Sequence, residues 1–275
     1  MPSQIIEESL MNTNNTSTHI ALLILIQFLY ACKPTTIKTQ LNTINPETII
    51  NNYYKSVGGY ESIKSIKTLI KKGHYIEPKY NLLLNADLTK KRPNFRVVGD
   101  LDTVGFKEGF NGIAWEYHKN TGLIISEGEA KKAILISNDF DYLFIDAHKK
   151  GYKMNYKGIV KLNGVNTHNI EVTVELMNSQ YISNFYFDLH SSLLIGQRKL
   201  MPIHAVGENV DIIVHLSDYR NVANTLMPFS FIERYEKDGK FLNATIWSEF
   251  IVNTDIPSET FDPPNEGQLS SIQAK

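Results

Sequence analysis

Two runs of period-two alternation joined by Asn163-Gly164 constrain this chain more than any other feature in it. Between Tyr152 and Leu162, Tyr152, Met154, Tyr156, Val160 and Leu162 alternate with Lys153, Asn155, Lys157 and Lys161. Beyond the turn, Ile170, Val172, Val174 and Leu176 alternate with Asn169, Glu171, Thr173 and Glu175. Successive strand side chains point to opposite faces, so each run has one dry and one wet face. Asn-Gly supplies the two positive-φ residues of a tight hairpin. A turn around Asn178-Ser179 leads to Tyr181, Ser183, Phe185 and Phe187, and Lys237-Asp238-Gly239-Lys240 marks a later hairpin. From about Lys67 onward the chain reads as an antiparallel meander.

Helices punctuate this pattern. Asn45 is suited to cap a first helix, Pro46 to its first position and Glu47 to its positive end. Ile49, Ile50, Tyr53, Tyr54 and Val57 form its apolar stripe, and Gly58-Gly59 stops it. A short turn, Glu61 to Ile66, follows. A further helix is expected from about Glu129 to Asp146, carrying Ala133, Ile134, Ile136, Phe140, Leu143 and Phe144. Two or three helices cannot cover a sheet of roughly ten strands, and at that size sheets curl or split. The expected class is mainly β (α+β): a curled antiparallel sheet, either enclosing an apolar cavity or filled by its own side chains.

The 275 residues carry 28 Lys+Arg and 29 Asp+Glu, without the basic excess of nucleic-acid binders. A single cysteine excludes an internal disulfide and zinc sites built on paired cysteines. That cysteine, Cys32, follows the 12-residue run Ile20 to Ala31, broken by Gln27. The run is too short to span a bilayer but fits the apolar core of a secretory signal. Leu29-Tyr30-Ala31-Cys32 resembles a bacterial lipobox, which implies a lipidated Cys32 at a new N-terminus. Residues 1–31 contain no Lys or Arg but do contain Glu7 and Glu8, so Met11 is the expected start. A buried helix with a core cysteine is the competing reading. The expected organisation is a signal peptide over 1–31, a polar tether over 32–44, one domain over 45–264 and a tail over 265–275.

Chemistry is sparsely signalled. The nucleophile elbow, the His-Glu-x-x-His motif, the phosphate loop and the dinucleotide fingerprint are all absent. His74, His118, His148, His168, His190, His204 and His215 are scattered without helical i, i+4 pairing. His204 and His215 flank an expected hairpin. Asp139, Asp141 and Asp146 suit either a divalent cation or, more simply, a solvated helix end. Trp115 is either a ligand contact or a core anchor. Neither a cofactor nor a metal site is expected, and Asn243 heads an Asn-x-Ser/Thr triplet.

Several short phrases, in order, resemble a known family. They include Tyr53-Tyr54-Lys55-Ser56-Val57-Gly58-Gly59, Ile66-Lys67-Thr68-Leu69 with Gly73 opening a strand, and Arg92-Pro93-Asn94-Phe95-Arg96. Phe110-Asn111-Gly112-Ile113-Ala114-Trp115, Lys150-Gly151-Tyr152 and Phe187-Asp188-Leu189 follow. Ser217-Asp218-Tyr219-Arg220, Met227-Pro228-Phe229 and Phe261-Asp262-Pro263-Pro264 complete the set. Over residues 45–264 the chain resembles the outer-membrane lipoprotein-sorting protein-like group, with the fold of the LolA/LolB carriers.

The resemblance implies a half-barrel of about eleven antiparallel strands, near the size at which sheets curl, with helices across its concave face. It also implies an apolar cavity for acyl chains of a lipid or lipoprotein, without covalent chemistry. On that reading Tyr152, Met154, Tyr156, Ile170, Val172, Val174, Phe185 and Phe187 are candidate wall residues, with Trp115 beside them. Lipidation at Cys32 would tether the protein to a membrane, and Lys33 after the cysteine fits the periplasmic face of the outer membrane. The expected function is non-enzymatic lipid or lipoprotein transport in a bacterial envelope, with envelope proteins as possible partners. An anchored scaffold with a closed interior is the first alternative, and an envelope lipid hydrolase the second.

Overall fold

The computed structural model describes residues 44–100, 105–203 and 208–264. The expected signal segment, Cys32, the tether up to residue 43, His204 and the 265–275 tail lie outside the described residues.

The described chain forms two antiparallel meanders that share one sheet. The first comprises β1 (Thr68–Glu77), β2 (Leu82–Lys91), β3 (Asn94–Asp100), β4 (Phe106–Phe110), β5 (Ala114–His118) and β6 (Gly122–Ile125). The second comprises β7 (Lys153–Leu162), β8 (Val165–Leu176), β9 (Ser179–Asp188), β10 (Leu194–Ile203), β11 (Glu208–Val222), β12 (Thr225–Tyr235) and β13 (Phe241–Val252). The order is β6-β5-β4-β3-β2-β1-β13-β12-β11-β10-β9-β8-β7, so thirteen strands stand where about eleven were expected. Among the described residues the strands of the two meanders pair with each other where β1 meets β13, from Leu69–Val252 to Ile76–Ala244. That ladder shifts register at Gly73, where a Cβ would lie 2.2 Å from the Ile246 carbonyl oxygen. Gly73 thus sits at a bulge inside β1 rather than opening a strand.

Three helices lie against the sheet: α1 (Pro46–Ser56), α2 (Tyr60–Ser65) and α3 (Gly128–Asn138). The Asn45 side chain accepts from the Glu47 N–H at 3.0 Å, and Ile49, Ile50 and Tyr53 are buried. After Ser56 the chain docks on the β11–β12 hairpin, where the Leu226 N–H donates to the Val57 carbonyl at 2.9 Å. Gly58 is required there: its φ is +107° and a Cβ would lie 2.0 Å from the Asn224 carbonyl oxygen. The expected helix over 129–146 ends at Asn138, and turns carry the chain from there to Gly151.

Ion pairs explain how an irregular stretch holds its place. Asp139 pairs with Lys150 at 2.7 Å, and Asp141 with Arg92 at 2.7 Å and Lys64 at 2.8 Å. Asp146 pairs with Lys64 and Lys149, each at 3.0 Å, and accepts from the Tyr60 hydroxyl. Burial works against the Asp146 charge, but these donors outweigh it and hold the carboxyl near pKa 2. The three aspartates therefore serve as fasteners, each matched by ammonium or guanidinium groups.

One facing reverses along β7. Met154 and Tyr156 pair with Val172 and Ile170 on the concave face, but register shifts between Tyr156 and Gly158. Past this bulge, where Gly158 has φ +103°, Val160 and Leu162 turn to the opposite face from Tyr156. Leu162 is buried there, its Cδ2 only 2.3 Å from where a Cβ on Gly196 would stand.

Candidate functional site

The concave face divides into a filled sector and an open one. In the filled sector, α1 and the segment Leu143–Ile145 press onto β8 to β11. Phe144 meets Phe185, Phe187 and Tyr53 edge-on at centroid distances of 5.0, 5.1 and 5.2 Å. Ile170, Val172, Val174, Phe185 and Phe187 are all buried in this cluster, with Tyr152, Met154 and Tyr156 packed at its margin. Of these eight expected wall residues, Phe185 lines the open space described next.

Beside this packed sector lies a cavity of about 480 Å³, within the usual range for small-molecule sites. Tyr53, Ile63, Leu69, Leu88, Leu143, Phe185 and Phe231 supply its apolar lining. Ala133 and Ile136 of α3 close over it, and Met227 and Pro228 contribute from β12. The sheet curls enough for Glu108 on β4 and Lys199 on β10 to face the same space, although six strands separate theirs.

Charged groups interrupt the apolar lining. Lys90 donates to the Ser137 and Asp139 carbonyls at 2.7 and 2.8 Å, capping the C-terminal end of α3. Lys199 lies 3.9 Å from Glu233. Lys71 has neither an ion pair nor a hydrogen bond among the described residues. Its ammonium instead faces the rings of Phe250, Phe231 and Trp247 at 4.6, 5.3 and 5.7 Å. Burial pushes Lys71 down to about pKa 7, assisted by the Lys90 charge, and pushes Lys90 down to about 8. Both line the cavity and retain some accessible surface, and the surrounding protein weakens solvation of the charge.

Glu108 faces the same space without a hydrogen-bond partner among the described residues. Burial, then the carboxylate of Glu116 directly across the β4–β5 ladder, raises it to about pKa 7. Glu116 itself accepts from Ser126 Oγ at 2.9 Å. The buried Thr225 Oγ also lacks a partner among the described residues and belongs to the lining.

The remaining sequence candidates sit elsewhere. Trp115 stands on the face of β5 opposite α3, and its indole N–H donates to the Phe261 carbonyl at 3.0 Å. That bond ties β5 to the closing turn Ser258–Phe261, so the core-anchor reading describes its position. His168 bonds Tyr156 and His215 bonds Asn163, each at 3.1 Å. Among the described residues no histidine lines the cavity, and no group of three His, Cys, Asp or Glu is placed to hold a metal. Asn243 is buried on β13 and donates to Glu233 at 3.0 Å.

An open curled sheet with helices lying in its concavity is a half-barrel, and this one is similar in fold to solved structures. Two solved structures define that likeness. A DUF1329 family protein from Desulfovibrio piger matches at TM-score 0.54 and 12% identity, over 81% of this chain and 98% of that one. A putative outer membrane lipoprotein-sorting protein domain from Vibrio parahaemolyticus matches at TM-score 0.51 and 12% identity, over 81% and 97%. A LolA superfamily protein from Nitrosomonas europaea aligns over 76% of this chain and 97% of that one, at 12% identity and TM-score 0.48. No family model and no curated protein matches the chain. At such identities the likeness is one of fold.

Proposed function

We propose that this protein binds the acyl chains of a lipid or lipoprotein in the cavity between its two meanders and carries them within a bacterial cell envelope. The observation that carries this reading is the 480 Å³ space itself, walled by aromatic and aliphatic side chains beside the buried cluster of Phe144, Phe185 and Phe187. Protein interiors rarely leave such space unfilled. An acyl chain entering it gains about 0.8 kcal/mol per buried CH₂ without needing directed hydrogen bonds. The half-barrel fold, shared with a protein named for lipoprotein sorting, supports the same reading.

On this proposal the protein binds its ligand and leaves it chemically unchanged. Cys32 carries the lipid anchor, with residues 33–44 as its tether, and the domain works at the periplasmic face of the outer membrane. Native mass spectrometry of protein purified from a bacterial envelope, followed by organic extraction, tests the carrier function. A stoichiometric lipid adduct is expected. A clean apo mass together with no uptake of a fluorescent fatty acid would overturn the reading and favour an anchored scaffold.

A further inference from the structure

We infer that the cavity selects amphiphiles with an anionic headgroup, a carboxylate or a phosphate monoester, and that Lys71 receives that group. The inference rests on the proposed acyl-binding role and names the part of the ligand that role leaves open.

The geometry singles out one residue. Three lysines face the cavity, and two are committed: Lys90 to two carbonyls at the end of α3, Lys199 to the neighbourhood of Glu233 and Glu108. Lys71 projects from β1, beside the ladder that joins the two meanders, into a cage of Phe231, Trp247 and Phe250. Such a cage returns to an ammonium far less than the hydration it has lost. A poorly hydrated cation without a counter-ion is costly, and a lysine packed among rings for structure alone would be better replaced by methionine. An anion brought in with the ligand completes the site.

The rest of the cavity sets the ligand's direction. A headgroup at Lys71 lets the chain run toward Leu143 and Phe185, where the walls are apolar. Glu108, Asp139 and Asp141 also face the cavity, and Lys64, Arg92 and Lys150 balance the two aspartates. Glu108, half protonated near neutrality and crowded by Glu116, repels an anion from the β4 side and so reinforces the Lys71 end. Binding an anion also restores the proton that burial tends to remove from Lys71.

The test compares full-chain wild type with Lys71→Met and Lys71→Arg, titrated at pH 7 with four C12 probes: dodecanoate, monododecyl phosphate, methyl dodecanoate and dodecylamine. Wild type is expected to bind at least one anionic probe about tenfold or more tightly than the ester, the larger ratio identifying the headgroup. Lys71→Met should remove that preference while keeping ester affinity within about twofold, the signature of a lost charge in an intact cavity. Lys71→Arg should keep the preference. Equal affinity for acids and ester in wild type, tighter binding of the amine, or an unchanged ratio in Lys71→Met each overturns the inference while leaving acyl binding in place. Failure of wild type to bind any probe removes both proposals.

Discussion

The two sectors of the concave face are built from the same strand pattern yet finished differently. Over β8 and β9 the inward residues Ile170, Val172, Val174, Phe185 and Phe187 are buried in one cluster with α1 and Phe144. Over β1, β2, β12 and β13 the inward positions hold Lys71, Lys90, Gly73 and a cluster of rings around Phe229 and Trp247, with empty space above. A sheet can therefore use one region as its foundation and leave a neighbouring one incompletely packed. The first stabilises the fold, and the second gives up packing energy in exchange for room.

This contrast is sharpest in large-to-small substitutions. Phe185→Ala, at the border but fully buried, should cost about 3–5 kcal/mol in denaturant unfolding. Phe231→Ala should cost about 1–2 kcal/mol, because its ring already faces open space. Equal losses would break the distinction between the sectors. Next in size, Gly73→Ala drives a methyl group into the β13 backbone at the strand seam between the meanders, and about 3 kcal/mol of destabilisation is expected. Thermal melts would show it.

The open sector should also reveal itself through pH. Folded Lys71 releases its proton near pH 7, whereas an unfolded lysine holds it to about 10.4. Between those values the unfolded state binds more protons, so stability contributed by this site rises with pH. Ligand-free Lys71→Met should flatten that rise and melt a few degrees higher than wild type at pH 7, at about 2–4 °C per kcal/mol for a domain of this size. Lys90, displaced in the same direction, should leave a residual slope. Smallest of all, Arg92→Ala should cost under about 1 kcal/mol and less at high salt, since Lys64 still holds Asp141.

These differences also explain what could be read in advance. Asn45-Pro46, Asn163-Gly164 and the Ile170–Val174 alternation are local signals, and each appears where its chemistry demands. The reversal at Gly158 was hidden because a bulge shifts facing without disturbing composition. Trp115 could not be placed, since both faces of β5 are buried and its partner is a carbonyl 146 residues away. The cavity's charged groups carry no local signal of their own, because lysine and glutamate in strands ordinarily mark the wet face. The available clue was phase, because Lys71 shares parity with Leu69 on β1 and Glu108 with Phe110 on β4. The pattern suggests roughly ten strands against thirteen found, because β4 to β6 are short and their alternation is too brief to register; about eleven is what the resemblance implies.

The chain's two tryptophans offer the most direct test of the central claim. Trp247 faces the ammonium of the cavity-lining Lys71, while Trp115 is buried on the other face of its sheet against Phe261. Fluorescence quenching by a brominated fatty acid should therefore persist in Trp115→Phe and disappear in Trp247→Phe. Quenching carried by Trp115, or absent from a folded Trp115→Phe protein at saturating ligand, would contradict an acyl chain seated between the meanders.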